Sequence, residues 1–477
     1  MTSLSSLQKI LAALILLVIV FFSLFHITES PPFGFDEGWA FHLATNISRV
    51  GESVTQFSPG HLERSSIISV GYPLLYPLAF WFKLFGGGIL QARLMMVLYM
   101  FGFVFVSFTF LRRIYGNAIA LSSIALLSTF PPFYTFGKEI IGEVPVLFFF
   151  VLSLLCLHLA FGNPRRKLFW LIMAGFSVGL CVASKTMALA LIPVLFVGAF
   201  LAFRKGLATW KDIGIVAVST LLPIVVWVFT NFAPGDTLAS ILNYYTNPSV
   251  LTNKTSTFFV NLRMFFSGIG PLFVLSFIGI WTVGLWLRLQ ARAKILVEEY
   301  LAFLFALVLM FSLLFRYWDA RYYFPIQVLG ILFAPASLFY ILQRTKIFPI
   351  GILLLSVLGL YQLSYHSYIA DSYTSTLTAG MSEFFAKVPD STSVFFYNTP
   401  QALAFFHGTN YYQRTAIFEK WVLGSEYATI AREGRVDLLV LGPPMLEADA
   451  TLPLDKYVEV AKFREIRILK KKARAAR

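Results

Sequence analysis

The stretch "PPFGFDEGWAFHLA", residues 31–44, sets Asp36 and Glu37 side by side just beyond a long apolar run. Adjacent carboxylates in that place admit two readings. As first-turn acids they complement the positive end of a helix dipole and cap it. Held in a partly water-excluded cleft, a carboxylate is instead suited to take a proton from a reacting group. Glu143, two residues before Pro145, poses the same choice. Arg93 and Lys185 fall at or near the ends of apolar runs, where cations either anchor a helix in lipid headgroups or complete a polar site at the membrane face. On residue types alone both readings stand.

The elements that must position these groups follow from composition. With 51 Phe, 21 Tyr, 58% hydrophobic and 13% charged residues, and a mean hydropathy of +0.74, the 477-residue chain holds more apolar side chain than a soluble core of this length encloses. It reads as an α-helical polytopic membrane protein. Runs long enough to cross about 30 Å of hydrocarbon predict about eleven helices. They lie near residues 8–27, 90–111, 117–135, 144–161, 168–184, 187–203, 213–232, 268–287, 299–315, 322–342 and 347–366. The first is expected to be a retained span, since no small-residue cleavage site follows it.

Orientation follows from the short basic loops: Arg112-Arg113, Arg165-Arg166-Lys167, Arg204-Lys205 with Lys211, Arg288-Arg292-Lys294, and Arg344-Lys346. These face the cytoplasm by the positive-inside rule. The other side receives Asp36, Glu37, Glu52, Glu63, Glu139, Glu143, Asp236 and Asp319, while Asp212, Glu298 and Glu299 stay with the basic loops. An odd number of spans from a cytoplasmic N-terminus places residues 371–477 on the extracytoplasmic side. There "SVFFYN" and "VDLLVLG", between helical stretches with Gly and Pro punctuation, predict a small α/β domain. The chain thus divides into a membrane part, 1–370, with a first outer loop at 28–89 and an outer flap loop at 233–261, and that C-terminal domain. The basic tail "RILKKKARAAR" is expected to rest on anionic lipid.

Several chemistries find no support. Cys156 and Cys181 lie inside apolar runs, and six histidines are scattered without ligand spacing, so neither a disulfide framework nor a Cys- or His-based metal site is expected. No cofactor is called for; Glu139, beside Lys138, is the one candidate ligand for a divalent ion. Nucleic acid is not an expected partner. No internal repeat is visible and span centres are nearly free of charge, which disfavours a lipid or sugar transporter. A lipid or sugar transporter stays an alternative all the same, as does a non-catalytic receptor or scaffold using its C-terminal domain as a binding surface. Lys83 is expected to snorkel to the headgroups, and Asp319 to pair with Arg316 and Arg321. Asn46-Ile47-Ser48 and Asn253-Lys254-Thr255 fit the glycosylation sequon.

"GFDEGWAFHLATNISRVG" reads as a short amphipathic helix opening on the two acids. It is followed by Pro73-Leu74-Leu75-Tyr76, Lys83-Leu84-Phe85-Gly86 and Ala92-Arg93-Leu94. This order resembles the GT-C superfamily of membrane glycosyltransferases, in particular the protein O-mannosyltransferase and aminoarabinose-transferase branch. "GEVPVLFFFVLSL" is similar to the family's second acidic motif, with Glu143 at its acid. "GLCVASKTMALALIPVL" places Lys185 at the family's basic position, and "RYWDARYYFPI" matches best at Arg321-Tyr322. The likeness spans about residues 8–345. It departs at Gly71-Tyr72, where other members carry a second Pro, a His or a Lys, and it lacks the Trp-Trp-Asp motif of oligosaccharyltransferases.

The resemblance implies transfer of a sugar, with inversion, from a polyprenyl-phosphate donor to an acceptor hydroxyl of a lipid, glycan or protein at the extracytoplasmic membrane face. Asp36 would be the base, with Glu37 and Glu143 as further catalytic acids. Arg93, Lys185 and Arg321 would hold the donor phosphate, whose departure as an anion needs positive charge rather than a second acid. The polar, aromatic loop "NYYTNPSVLTNKTS", with Tyr244, Tyr245 and Asn247, would form a flap over the donor.

Overall fold

The computed structural model describes residues 4–64, 70–232, 254–266, 277–293, 295–314, 320–345, 350–351, 353–360, 376–418, 421–423, 428–443 and 452–472, with Gly235, Thr237, Ala239 and Gln362 between them. The flap residues Tyr244, Tyr245 and Asn247, the pair Arg316 and Asp319, and the sequon at Asn253 lie outside the described residues.

Eight helices among the described residues are long and apolar enough to span a bilayer, or nine if a bent pair counts as one span. They include α1 (Ser6–Leu24), α4 (Ile89–Tyr115), α7 (Glu143–Gly162), α8 (Lys167–Ser184) with the turn from Pro164, α9 (Leu191–Arg204) with the turn from Thr186, and α10 (Trp210–Asn231). Two more, α13 (Val297–Leu314) and α14 (Phe324–Thr345), follow α11 (Lys254–Phe266) and α12 (Gly279–Gln290). The run at 117–135 is the bent pair: α5 (Asn117–Ser128) and α6 (Pro131–Lys138) meet at 67°. Pro131 and Pro132 follow that break, as rings lacking an N–H donor tend to begin helices. The expected spans at 268–287 and 347–366 fall partly outside the described residues.

Local signals account for the helix ends. Ser5 and Gln8 exchange capping hydrogen bonds at the start of α1, and Thr209 and Asp212 do so at α10. Lateral packing relies on small residues where backbones approach. A Cβ at Gly175 would lie 2.4 Å from the Val216 carbonyl oxygen, and one at Gly179 would lie 2.4 Å from that of Thr220. The Thr220 hydroxyl donates to the Gly175 carbonyl at 3.0 Å, so α8 and α10 are joined along a Gly-x-x-x-Gly face. This contact fixes the helix that leads into Lys185.

Between α1 and α4 the chain forms α2 (Phe35–Val50), the hairpin of β1 (Thr55–Ser58) with β2 (His61–Glu63), and α3 (Tyr72–Phe85). Phe80, Leu84 and Phe85 of α3 are exposed beside Lys83, an amphipathic arrangement suited to an interface.

The C-terminal part is a six-stranded sheet in the order β5-β4-β3-β6-β8-β7. Its strands are β3 (Val394–Tyr397), β4 (Tyr411–Phe418), β5 (Trp421–Leu423), β6 (Leu438–Leu441), β7 (Tyr457–Phe463) and β8 (Ile466–Lys471). β3 pairs parallel with β4 and β6, and the other pairings are antiparallel. β3 and β6 are the two apolar runs seen in the sequence and are buried along their whole length, as strands covered on both faces must be. The helices α15 (Leu377–Ala386), α16 (Pro400–Leu403) and α17 (Ala428–Arg432) complete this unit.

Two sequence features take on structural roles here. Much of the basic tail is structural: residues 466–471 are strand β8 between β6 and β7, with Ile466, Ile468 and Leu469 buried and the basic residues turned outward. Alternation hid an apolar face behind the charge. Asn46 is no glycan acceptor in this fold, because its side chain is buried and its amide donates to the Val54 carbonyl at 2.7 Å.

Candidate functional site

α2 delivers the two acids to different surroundings, as side chains about 100° apart on a helix must be. Gly34 precedes the helix in extended conformation, and its N–H donates to Glu37 Oε2 at 3.0 Å. Glu37 turns inward and is almost wholly buried, while Asp36 is 44% exposed. The capping role that the sequence allowed for the pair therefore belongs to Glu37 alone.

Glu37 is also the anchor of a buried ion pair. Arg93, near the start of α4 and fully enclosed, donates from Nη2 at 2.9 Å and from Nε at 3.3 Å to the two carboxylate oxygens. Its Nη1 donates to the Ile27 carbonyl at 2.9 Å, and the Ile140 N–H completes the shell of Glu37 at 3.3 Å. Arg93 is thus neither a headgroup anchor nor an open cation. It joins α4, α2 and the α6–α7 turn.

A second buried pair stands nearby. Lys185 donates to Glu143, the first residue of α7, and both side chains are enclosed. Lys185 leaves the end of α8 in extended conformation and forms one antiparallel bridge with Val70, while the Gly71 N–H donates to the Ser184 carbonyl at 3.2 Å. This contact explains the departure at Gly71: a Cβ there would lie 1.9 Å from the Ala183 carbonyl oxygen. The turn before Pro73 has no room for the side chains that the resembled family carries.

The third pair is open. Arg321 contacts the Asp36 carboxylate, with Arg321 19% and Asp36 44% exposed. The Tyr322 ring lies between the cations, 5.3 Å from the Arg321 guanidinium and 5.9 Å from Lys185 Nζ. Asp36 also acts electrostatically on Lys185, so the two cations and the half-exposed carboxylate share one locality. Glu139 follows α6 within the field of both buried pairs. Burial and the Glu37 and Glu143 carboxylates hold its carboxyl well above the ordinary range, against the pull of Arg321 and Arg93. Among the described residues no group of three or more His, Cys, Asp or Glu side chains is arranged to hold a metal ion.

The sheet closes over this end of the bundle. A Cβ at Gly38 would lie 2.3 Å from the Gln401 backbone nitrogen, so α2 and α16 touch through bare backbone. Gln56 donates to the Thr409 carbonyl at 2.8 Å, Gln413 donates back to the Gln56 carbonyl, and Phe33 meets Phe405 edge-on at 6.0 Å. The Glu29 carboxyl faces the backbone at Thr378 and Ala379 at the start of α15, which lowers its pKa against the larger effect of burial.

Sequence reasoning brought all six residues to this end but missed how they pair. It also missed a buried cluster at the opposite end. Glu299, assigned to a basic loop, is enclosed in the first turn of α13, where Arg288 Nη1 donates to it at 2.9 Å and the Trp281 indole at 3.3 Å. Their separation of 11 residues across a loop was the available signal.

The overall fold occurs in solved proteins. The apo structure of ArnT from Cupriavidus metallidurans aligns with a TM-score of 0.64 at 15% identity, covering 97% of each chain. The undecaprenyl phosphate-bound form aligns at 0.65 and 16%, covering 99% of each. The chain has the fold of ArnT. The oligosaccharyltransferase AglB from Archaeoglobus fulgidus, in complex with an inhibitory peptide and a dolichol-phosphate, aligns at a TM-score of 0.59 and 12% identity, over 92% of this chain and 69% of its own. The family described as dolichyl-phosphate-mannose-protein mannosyltransferase matches residues 73–230, about a third of the chain. That stretch contains Arg93, Glu143 and Lys185 of the charged cluster described above. No curated protein sequence matches the chain.

Proposed function

We propose that the chain is a glycosyltransferase moving a sugar from a polyprenyl-phosphate donor to an acceptor hydroxyl at the extracytoplasmic membrane face, with inversion at the anomeric carbon. The observation that carries this reading is the half-exposed Asp36 carboxylate beside Arg321 and Lys185, set among buried ion pairs that fix its helix. Support for the donor class comes from the fold shared with ArnT, solved with undecaprenyl phosphate, and AglB, solved with a dolichol-phosphate.

In this reading the acceptor oxygen bonds to the anomeric carbon as the bond from that carbon to the phosphate oxygen breaks. The bonding pair leaves with the polyprenyl phosphate, and the hydroxyl proton passes to Asp36. Arg321 and Lys185 offset the charge growing on the leaving phosphate. Arg93 works at one remove, holding Glu37 and so the start of α2. Residues 1–370 form the membrane catalytic part and residues 371–477 its extracytoplasmic cover.

The test presents purified protein in lipid nanodiscs with a panel of undecaprenyl- and dolichyl-phosphate sugars and measures released polyprenyl phosphate. Release from at least one donor by the parent protein, and its loss in Asp36→Asn, supports the assignment. A folded protein that moves a donor across the bilayer without breaking the bond would replace it with transport.

A further inference from the structure

The C-terminal half of α2 forms a second site that the transfer reading does not use. Between α2, the end of α3 and the sheet lies a cavity of about 180 Å³, lined among others by His42, Arg49, Phe82, Phe406, His407 and Tyr411. Asp36 does not line it. From residue 36 to residue 42 the helix rises about 9 Å, so the donor of the cavity wall stands more than one turn beyond Asp36.

The hydrogen-bonding capacity of its walls is one-sided. The Gln56 backbone N–H donates to His42 Nε2 at 3.3 Å, which leaves that nitrogen unprotonated and puts the ring proton on Nδ1. Asn46 also meets Nε2, at 3.2 Å. His42 is only 6% exposed and lines the cavity, and among the described residues nothing accepts from its Nδ1–H. Tyr411, 5% exposed, stands edge-on to the His42 ring at 6.1 Å, and its hydroxyl has no hydrogen-bond partner among the described residues. Both residues line the cavity, so a ligand entering it meets two donors on one wall.

Charge agrees with this. The Arg49 side chain is exposed at the cavity, acts electrostatically on both His42 and Tyr411, and forms no ion pair with a described residue. No Asp or Glu lines the cavity. The Thr45 hydroxyl is turned onto the Phe41 carbonyl at 2.9 Å and the Ser48 hydroxyl onto the Thr45 carbonyl at 2.7 Å, so neither offers its proton to a ligand. Phe41, Phe82 and Phe406 supply apolar walls that a bare ion would leave empty.

We propose that this cavity binds an anionic sugar unit, with its carboxylate or phosphate on Arg49 and its ring oxygens on His42 Nδ1–H and the Tyr411 hydroxyl. Arg presents a planar donor fork suited to either anion. Because the walls come from α2, α3 and the sheet together, the site exists only while the C-terminal unit is docked on the membrane half.

Full-length protein in nanodiscs, titrated calorimetrically with glucuronate, glucose 6-phosphate and glucose, tests the proposal. Saturable binding of glucuronate or glucose 6-phosphate is expected, and the tighter of the two identifies the anion. Arg49→Gln weakens it tenfold or more, and Tyr411→Phe three- to tenfold, from the loss of a charge-assisted and a neutral hydrogen bond. Both variants keep the fold, because Arg49 is exposed and Phe retains the Tyr411 ring, and unchanged melting temperatures check this. Asp36→Asn binds as the parent does, so the result is independent of the glycosyl-transfer reading. Absence of saturable binding to either anionic sugar overturns the proposal. So does equal binding of glucose, or indifference to both substitutions.

Discussion

Arg93 and Glu37 form a two-point ion pair with no solvent contact, at 2.9 and 3.3 Å, between the start of α4 and the first turn of α2. Removing one member of such a pair strands a charge in the protein, which costs about 3–5 kcal/mol. Arg93→Ala and Glu37→Gln are therefore expected to lower the melting temperature in detergent far more than Asp36→Asn. This reverses the simple ranking of the two acids by activity alone. Equal melting of Glu37→Gln and the parent would remove the anchoring role.

Asp36→Asn keeps the size of the side chain and faces partly open space, so stability should change by about 1 kcal/mol or less. Turnover of a polyprenyl-phosphate sugar should fall roughly 10²- to 10⁴-fold as the base is lost. Single-turnover rates and melting curves on the same preparation separate the two effects. A stable Asp36→Asn protein at full rate would end the base assignment.

Lys185 has two roles that a double variant can part. Lys185→Met alone leaves the Glu143 carboxylate buried without its cation, a loss of about 3–5 kcal/mol. Lys185→Met with Glu143→Gln removes both charges and should recover most of that stability. If Lys185 also offsets the leaving phosphate, the double variant remains slow at saturating donor. Recovery of rate together with stability would confine Lys185 to structure.

His42 makes stability depend on pH. Burial, helped by the nearby Arg49 cation, lowers its pKa to about 3, against about 6.5 in an unfolded chain. The unfolded chain then binds the extra proton first, so this group costs nothing above pH 6.5. Between about 6.5 and 3 it removes up to about 1.4 kcal/mol per pH unit as the pH falls. Thermal melts from pH 7.5 to 4.5 should show the parent losing stability more steeply than His42→Gln. Parallel curves would count against the buried neutral imidazole.

Gly38 is the tightest point between α2 and the C-terminal unit. Gly38→Val places methyl groups where Pro400 and Gln401 backbone now lies, and overpacking of this kind costs about 1–3 kcal/mol. The expected sign is faster proteolytic release of the C-terminal unit, since Gln56, Thr409 and Gln413 hold the same seam. A cleavage rate equal to the parent's would mean that the seam yields elsewhere.

The sequence determined the membrane class, most of the helical spans, the buried strands at 394–397 and 438–441, and six charged residues that the fold gathers at one end of the bundle. Those calls rest on local information: apolar run length, alternation, and acids or cations at run ends. Tertiary structure decided what each charge does. Asp36 and Glu37 are neighbours in sequence with the same chemistry, yet the helix turns one toward Arg93 in the protein and the other toward Arg321 at a surface. Arg93 lies 56 residues from Glu37, Lys185 lies 42 from Glu143, and Gln56 lies 353 from the carbonyl it reaches. Hydropathy and period carry no record of partners so far apart, because burial of a charge is a property of the packed surfaces around it and not of the run in which it stands.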